Sequence, residues 1–215
     1  KYSTIVIKDK KTEEDSLSLH YVDDRLLTVP SVALSQVKKE IEYMFDLVEE
    51  NTRLSLVAMN SGSSEHNKTI RNNEKIINFT NNALTKFLIE LSVCMEHSDE
   101  RIIGSYFHVL NDLERIGDHA ENLHEIGLEM MDKKIVFSET ARQEIAEMFD
   151  NISKMFEISR NVFDTHNKDN LPSLASLEEN VDSQKTELIA SHFARLAEGN
   201  CHVDVSPYFS SVVVG

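Results

Sequence analysis

Residues 112–123 read DLERIGDHAENL, and this stretch decides how the chain folds. Its apolar positions recur every three or four residues, which predicts one buried stripe along an α-helix. The stripe comprises Leu113, Ile116, Gly117, Ala120 and Leu123. A second row, formed by Glu114, Asp118 and Asn122, repeats once per helical turn. This polar row therefore lies on the flank of the buried face rather than opposite it.

The two carboxylates of the polar row, Glu114 and Asp118, need a positive charge nearby. Two like charges one turn apart on a helix repel each other, so Glu114 and Asp118 destabilise the segment unless a cation lies near both. Arg115 points elsewhere around the helix, which leaves a basic residue from another helix or a metal ion. Carboxylate oxygens suit hard cations such as Mg²⁺, Ca²⁺, Mn²⁺ or iron. The row therefore has two open interpretations, an interhelical salt bridge and a metal site.

The same apolar spacing predicts helices along most of the chain. Only three prolines and six glycines occur in 215 residues, which favours long helices over strands. The predicted helices run from Pro30 to Asn60, from Glu65 to Met95, from Ser98 or Asp99 to Met131, from the Ser138 cap to just before His166, from Pro172 to Glu198, and from Ser206 to an early stop at Gly215. Residues 1–29 form a charged linker or strap, with a β-prone patch at Tyr2–Ile7.

The second and fifth helices resemble each other in sequence. A shift of 104 residues aligns Glu74 with Glu178 and Asn78 with Asp182. Glu178 falls near the centre of the apolar stripe of its helix, where a carboxylate must be paired, coordinated or protonated. We therefore predict an all-α fold of two tandem three-helix units, 30–135 and 136–215, the second incomplete at its last helix.

Composition excludes several classes of function. The chain carries 37 Asp and Glu against 22 Lys and Arg, a formal net charge of −15, which disfavours nucleic acids and anionic lipid surfaces as partners. Its two cysteines, Cys94 and Cys201, form no CxxC pair or disulfide framework, as is typical of a reducing compartment. No apolar run reaches the roughly 18 residues that a membrane-spanning helix needs.

An enzyme is also disfavoured. Glu121 and His124 have the ExxH spacing of di-metal helical bundles, but such sites need a second ExxH on another helix, and the sequence offers none. No catalytic triad, phosphate-binding glycine loop or zinc-ligand spacing is present. A di-metal enzyme is therefore the least favoured of the alternatives.

The segment Leu113–Asn122 closely resembles the signature of PhoU domains, which consist of two tandem three-helix units with such a segment on the third helix of each. Residues 23–34, DDRLLTVPSVAL, are similar to the junction between the membrane domain and the cytoplasmic PhoU-like tail of bacterial sodium–phosphate cotransporters. The resemblance implies a regulatory domain at the cytoplasmic face of the cell membrane. Its partners would be its own upstream transporter domain and a regulatory protein or a second copy of the chain.

The resemblance also implies metal ligands. These would be Glu114, Asp118 and Glu74 in the first unit, and Glu178 and Asp182 in the second, holding a divalent metal or iron. Position 78 departs from the pattern because it is Asn rather than Asp, and the second signature segment would begin where the chain stops. The alternative is a structural helical interaction module without metal, in which the carboxylate rows form salt-bridged rims.

Overall fold

The computed structural model describes residues 17–94 and 100–214, and within these ranges the protein is all-α. Its six α-helices are α1 (Pro30–Ser61), α2 (Asn67–Val93), α3 (Glu100–Asp132), α4 (Glu139–Thr165), α5 (Leu171–Ala197) and α6 (Ser206–Val214). Two short 3-10 helices, Asp24–Thr28 and Val203–Val205, precede α1 and α6. The described residues contain no β-strand, and none of their helices is long and apolar enough to cross a membrane.

The all-α prediction is confirmed, and the helix boundaries agree with it to within a few residues. The β-prone patch at Tyr2–Ile7, the Ser98 or Asp99 cap and the end of the second helix at Met95 lie outside the described residues. α4 starts as its sequence predicts, because the Ser138 hydroxyl accepts a hydrogen bond of 3.2 Å from the Ala141 N–H.

Local backbone chemistry ends the long helices. Gly62, with φ +60°, follows α1, and the Ser63 N–H donates to the Ala58 carbonyl oxygen at 3.3 Å. α4 ends at Thr165 and is followed by His166, a residue in the same left-handed region, with φ +58°. Each stop is thus fixed by a turn of a few residues, which is why the sequence locates it.

The chain divides into two compact units that share the long helices. The first comprises Lys1–Glu49 and Arg71–Gly117, and the second Glu50–Ile70 and Asp118–Gly215. Each of α1, α2 and α3 contributes one part to each unit. The predicted units 30–135 and 136–215 are defined by repeated sequence, whereas the two compact units are defined by contacts in the structure. The predicted division therefore stays a prediction.

The first unit has an apolar core from α1, α2 and α3. Its fully covered side chains include Val37, Ile41, Met44, Ile77, Leu84, Leu88, Leu91, Leu110 and Leu113. Among the described residues of this unit, four polar side chains are buried: Glu40, Asn73, Glu74 and Thr80. Buried carboxyl groups are costly unless they are hydrogen-bonded, so the surroundings of Glu40 and Glu74 need to supply hydrogen-bond donors.

The second unit adds α4, α5 and α6. α4 packs against α5, and α5 packs against α6. Its core includes Leu123, Phe137, Ile145, Met148, Leu188, Tyr208, Phe209 and Val212. The short helix α6 is the most apolar of the six, and four of its nine residues are buried, so it supplies much of the aromatic core.

Candidate functional site

A buried carboxylate of α2 packs on the DLERIGDHAENL segment of α3. Glu74 is only 4% exposed, and its Oε1 accepts a hydrogen bond of 2.8 Å from the Asn78 side-chain amide. A methyl group at position 117 would lie 3.3 Å from Glu74 Oε2 and 3.2 Å from Ile77 Cγ2. Gly117 therefore brings the backbone of α3 close to the Glu74 carboxylate, where a side chain would crowd it.

Asn78 explains the departure at its position. An amide can donate a hydrogen bond to a carboxylate, whereas an ionised Asp can only accept one. Asn78 therefore stabilises Glu74 with a neutral donor at the place where a second carboxylate would have added charge. The contact between Glu74 and Asn78 lies within the first unit.

The other predicted ligands lie nearer to the solvent. Glu114 is half-buried, whereas Asp118, Glu178 and Asp182 are exposed. The expectation that Glu178 lies on a buried stripe is wrong. Its expected neighbours Leu174 and Val181 are only half-buried, so the carboxylate between them stays in water. In α5 the covered residues are Leu188 and His192, both further along the helix.

The predicted ligands do not assemble into a metal centre. Within residues 17–94 and 100–214, no three His, Cys, Asp or Glu side chains come together in a way that could hold a metal ion. The oxygen donors suit a hard cation in kind, but the five residues Glu74, Glu114, Asp118, Glu178 and Asp182 do not form a preformed site. Metal binding through them therefore stays a prediction.

The family comparison falls on this same part of the chain. Residues 41–127 match the PhoU domain family. The match includes Glu74, Gly117 and the whole signature segment, and it covers less than half of the chain. No curated protein and no solved structure matches. The PhoU resemblance inferred from residues 113–122 is thus supported, whereas the link to a cotransporter rests on residues 23–34 alone.

A second polar cluster lies outside the PhoU match, in the second unit. His192 of α5 is only 1% exposed, and its ring stacks on Phe209 with 4.5 Å between centroids. Its Nε2 lies 2.8 Å from the Ser206 hydroxyl. One turn along α5, Arg195 donates two hydrogen bonds of 2.8 Å to the carboxylate of Glu144 on α4. The cluster ties α4, α5 and α6 together.

The sequence pattern indicates these buried polar groups only weakly. The histidines are scattered, so nothing singles out His192 before α6 is placed against α5. The burial of Glu40 is easier to predict from the sequence, because Glu40 lies three residues after Val37 and thus beside the buried stripe of α1. A carboxylate beside a buried stripe is the signal that could have pointed to it.

The protonation of His192 is set by its surroundings. Burial lowers the pKa of His192, the nearby positive charge of Arg195 lowers it further, and the negative charge of Glu144 acts in the opposite direction. The folded protein therefore favours the neutral imidazole. A neutral ring can stack on Phe209 and share a proton with the Ser206 hydroxyl without leaving a buried charge.

This environment predicts a loss of stability in acid. An unfolded histidine has a pKa of about 6.5, so below that pH the unfolded chain binds more protons than the folded one. The contribution of His192 is complete above this pH, declines as the pH falls below it, and is lost once the pH has fallen through the lower pKa of the folded protein. We expect wild-type protein to lose more unfolding free energy between about pH 7.5 and about pH 5.5 than a His192→Leu variant.

Urea denaturation at the two pH values measures this difference. The exposed His119 provides the control, since a His119→Leu variant should keep the wild-type pH dependence. If His192→Leu and wild-type protein lose the same amount of stability in acid, the neutral, buried imidazole is ruled out.

Proposed function

We propose that the chain is a regulatory helical domain of phosphate transport. The observation that carries this is the PhoU match over residues 41–127, with Glu74 packed on Gly117 inside the signature segment. PhoU is a family of regulatory, non-enzymatic helical domains. A regulatory role needs a domain that interacts differently with two states of its target, and a helical bundle with a polar interior can provide such surfaces.

More specifically, we propose that this domain serves a sodium-dependent phosphate cotransporter at the cytoplasmic face of the cell membrane. The support is the resemblance of residues 23–34 to the junction in such transporters. In the structure these residues have regular secondary structure. Asp23 caps the 3-10 helix Asp24–Thr28, and α1 begins two residues later at Pro30. An ordered junction can pass a change in an upstream membrane domain to the bundle.

Cell fractionation tests the link to a transporter. An antibody raised against this chain should detect a polypeptide clearly larger than 24.5 kDa, in the membrane fraction and released only by detergent. A band of about this mass in the soluble fraction alone would contradict the cotransporter proposal while leaving the PhoU match in place.

Metal binding is a separate part of the proposal. The ligands would be Glu74, Glu114 and Asp118, with Glu178 and Asp182 as a second group, and the ion would be Mg²⁺, Ca²⁺, Mn²⁺ or iron. The support is the chemistry of the donors, since hard cations prefer carboxylate oxygens. Because these side chains are not gathered, binding would require them to move.

Elemental analysis tests the metal prediction. Protein purified without chelator or nickel resin should contain about one or more metal ions per chain, and a Glu114→Ala/Asp118→Ala variant should contain fewer. Both substituted residues are half-buried or exposed, so the variant should keep its helical circular dichroism. A metal-free wild-type protein that stays metal-free after reconstitution would contradict metal binding.

The second candidate is a helical interaction module without metal. The exposure of Asp118, Glu178 and Asp182 favours it, because exposed carboxylates can serve as a solvated rim at little cost. The elemental analysis distinguishes the two candidate functions, because only the first requires bound metal. Both are compatible with attachment to a transporter.

A further inference from the structure

A segment at the start of the described chain is fastened to α1 by one buried carboxylate. We call residues 17–22 the strap. Glu40 of α1 is 0% exposed, and its two oxygens accept hydrogen bonds from consecutive backbone N–H groups of the strap. His20 N–H donates to Oε1 at 3.1 Å, and Tyr21 N–H donates to Oε2 at 2.7 Å. Both carboxylate oxygens are therefore used by the strap backbone.

Side chains of the strap add to this attachment. Val22 is buried, and the His20 ring lies 4.5 Å from the ring of Tyr43 on α1. His20 Nδ1 is also 3.6 Å from Glu40 Oε1. In contrast, Ser18, His20 and Tyr21 are themselves exposed, so the strap lies on the surface of the first unit rather than inside it.

The strap forms one wall of a cavity. The cavity has a volume of about 650 Å³ and lies within the first unit. Ser18, Leu19 and Val22 line it from the strap, and side chains of α2 line it from the bundle. Those of α2 include Phe79, Lys86 and Phe87. Moving the strap would therefore remove one wall of this cavity.

The chemistry of Glu40 makes such a movement possible without unfolding the bundle. A carboxylate buried without donors is very costly, and in the docked position the two N–H groups of the strap supply donors to both oxygens of Glu40. Once the strap leaves, water reaches the carboxylate and replaces those donors. The docked and released states of the strap then differ in the two hydrogen bonds to Glu40 and in the side-chain contacts of Val22 and His20.

We propose that Glu40 is a latch and that residues 17–22 are a releasable wall of the cavity in the first unit. This goes beyond the proposed regulatory role, because it rests on contacts in the strap and α1 and holds for any function of the bundle. A partner or ligand that favours the released strap would shift the balance between the two states.

Hydrogen exchange on the full chain tests the latch. In wild-type protein the His20 and Tyr21 amides should exchange at least about tenfold more slowly than in an unstructured peptide, as expected for hydrogen bonds to a buried carboxyl group. In Glu40→Leu they should exchange at close to the unstructured rate, while the amides in the middle of α1 and α2 remain protected. Leu fits a buried helical position and removes both acceptors.

The matched control is Glu42→Leu. Glu42 lies on the same helix and pairs with Lys38 at 3.8 Å instead of with the strap, so its loss should leave the His20 and Tyr21 amides protected. A second variant, Tyr21→Pro, keeps Glu40 and removes the shorter hydrogen bond, and it should speed exchange at His20.

Three results would overturn the proposal. The first is a wild-type strap whose two amides already exchange at the unstructured rate. The second is unchanged protection of these amides in Glu40→Leu with α1 and α2 intact. The third applies if Glu40→Leu unfolds α1, because the test then depends on the Tyr21→Pro variant. An exchange rate of the His20 amide that is unchanged in Tyr21→Pro would contradict the latch.

Discussion

Replacing Phe209 by Ala should lower the free energy of unfolding of the second unit by about 3–5 kcal/mol. Phe209 is 0% exposed, stacks on His192 at 4.5 Å and meets the edge of the Phe137 ring at 5.9 Å. The Arg195 guanidinium carbon lies 5.7 Å from its ring centre. Removing the ring leaves a cavity that these partners, held on α5 and on the segment between α3 and α4, cannot close.

Urea denaturation followed by circular dichroism measures this loss, and α5 supplies a matched control. Phe193 follows His192 directly but is 57% exposed, so Phe193→Ala should change stability by no more than about 0.5 kcal/mol. Equal effects of the two substitutions would show that α6 does not pack on α5 as described.

Replacing Gly127 by Ala should lower the free energy of unfolding by at least about 1–3 kcal/mol, although alanine is the better helix former. A methyl group at position 127 would lie 2.9 Å from the Met59 Cα, which is a backbone atom that cannot rotate away. Relief therefore requires α1 and α3 to separate within the second unit.

The control for Gly127 lies on the same helix. A methyl group at Gly104 would meet no atom within 4 Å, so Gly104→Ala should stabilise the protein by about 0.5–1 kcal/mol. Thermal or urea unfolding should therefore move in opposite directions for the two variants. A stabilising Gly127→Ala would contradict the close approach of α1 and α3.

The sequence predicted the helices well because helix ends are local events. The Ser138 cap, the turn after Ser61 and the Ser206 start each depend on a few neighbouring residues. Apolar spacing likewise identified the buried stripe through Leu113 and Ala120. These features need no knowledge of which helices pack together.

The candidate site was predicted less well because it depends on packing between distant segments. Glu178 lies between apolar residues, but those residues are only half-covered, so the carboxylate remains in water. His192 gains its role from Phe209 and Ser206, which belong to another helix. The position of Glu40 beside the buried stripe of α1 is visible in the sequence, but its partners are backbone groups of the strap, which leave no pattern.

The most direct test of the regulatory role is sodium-dependent uptake of labelled phosphate by cells of the source organism. Uptake is measured under low and high phosphate supply, with and without the coding segment for residues 30–214. We expect cells that lack the segment to import phosphate at a rate that no longer adjusts to supply, and the intact gene to restore the adjustment. If uptake adjusts equally in cells that lack the segment, the proposed role in phosphate transport is contradicted.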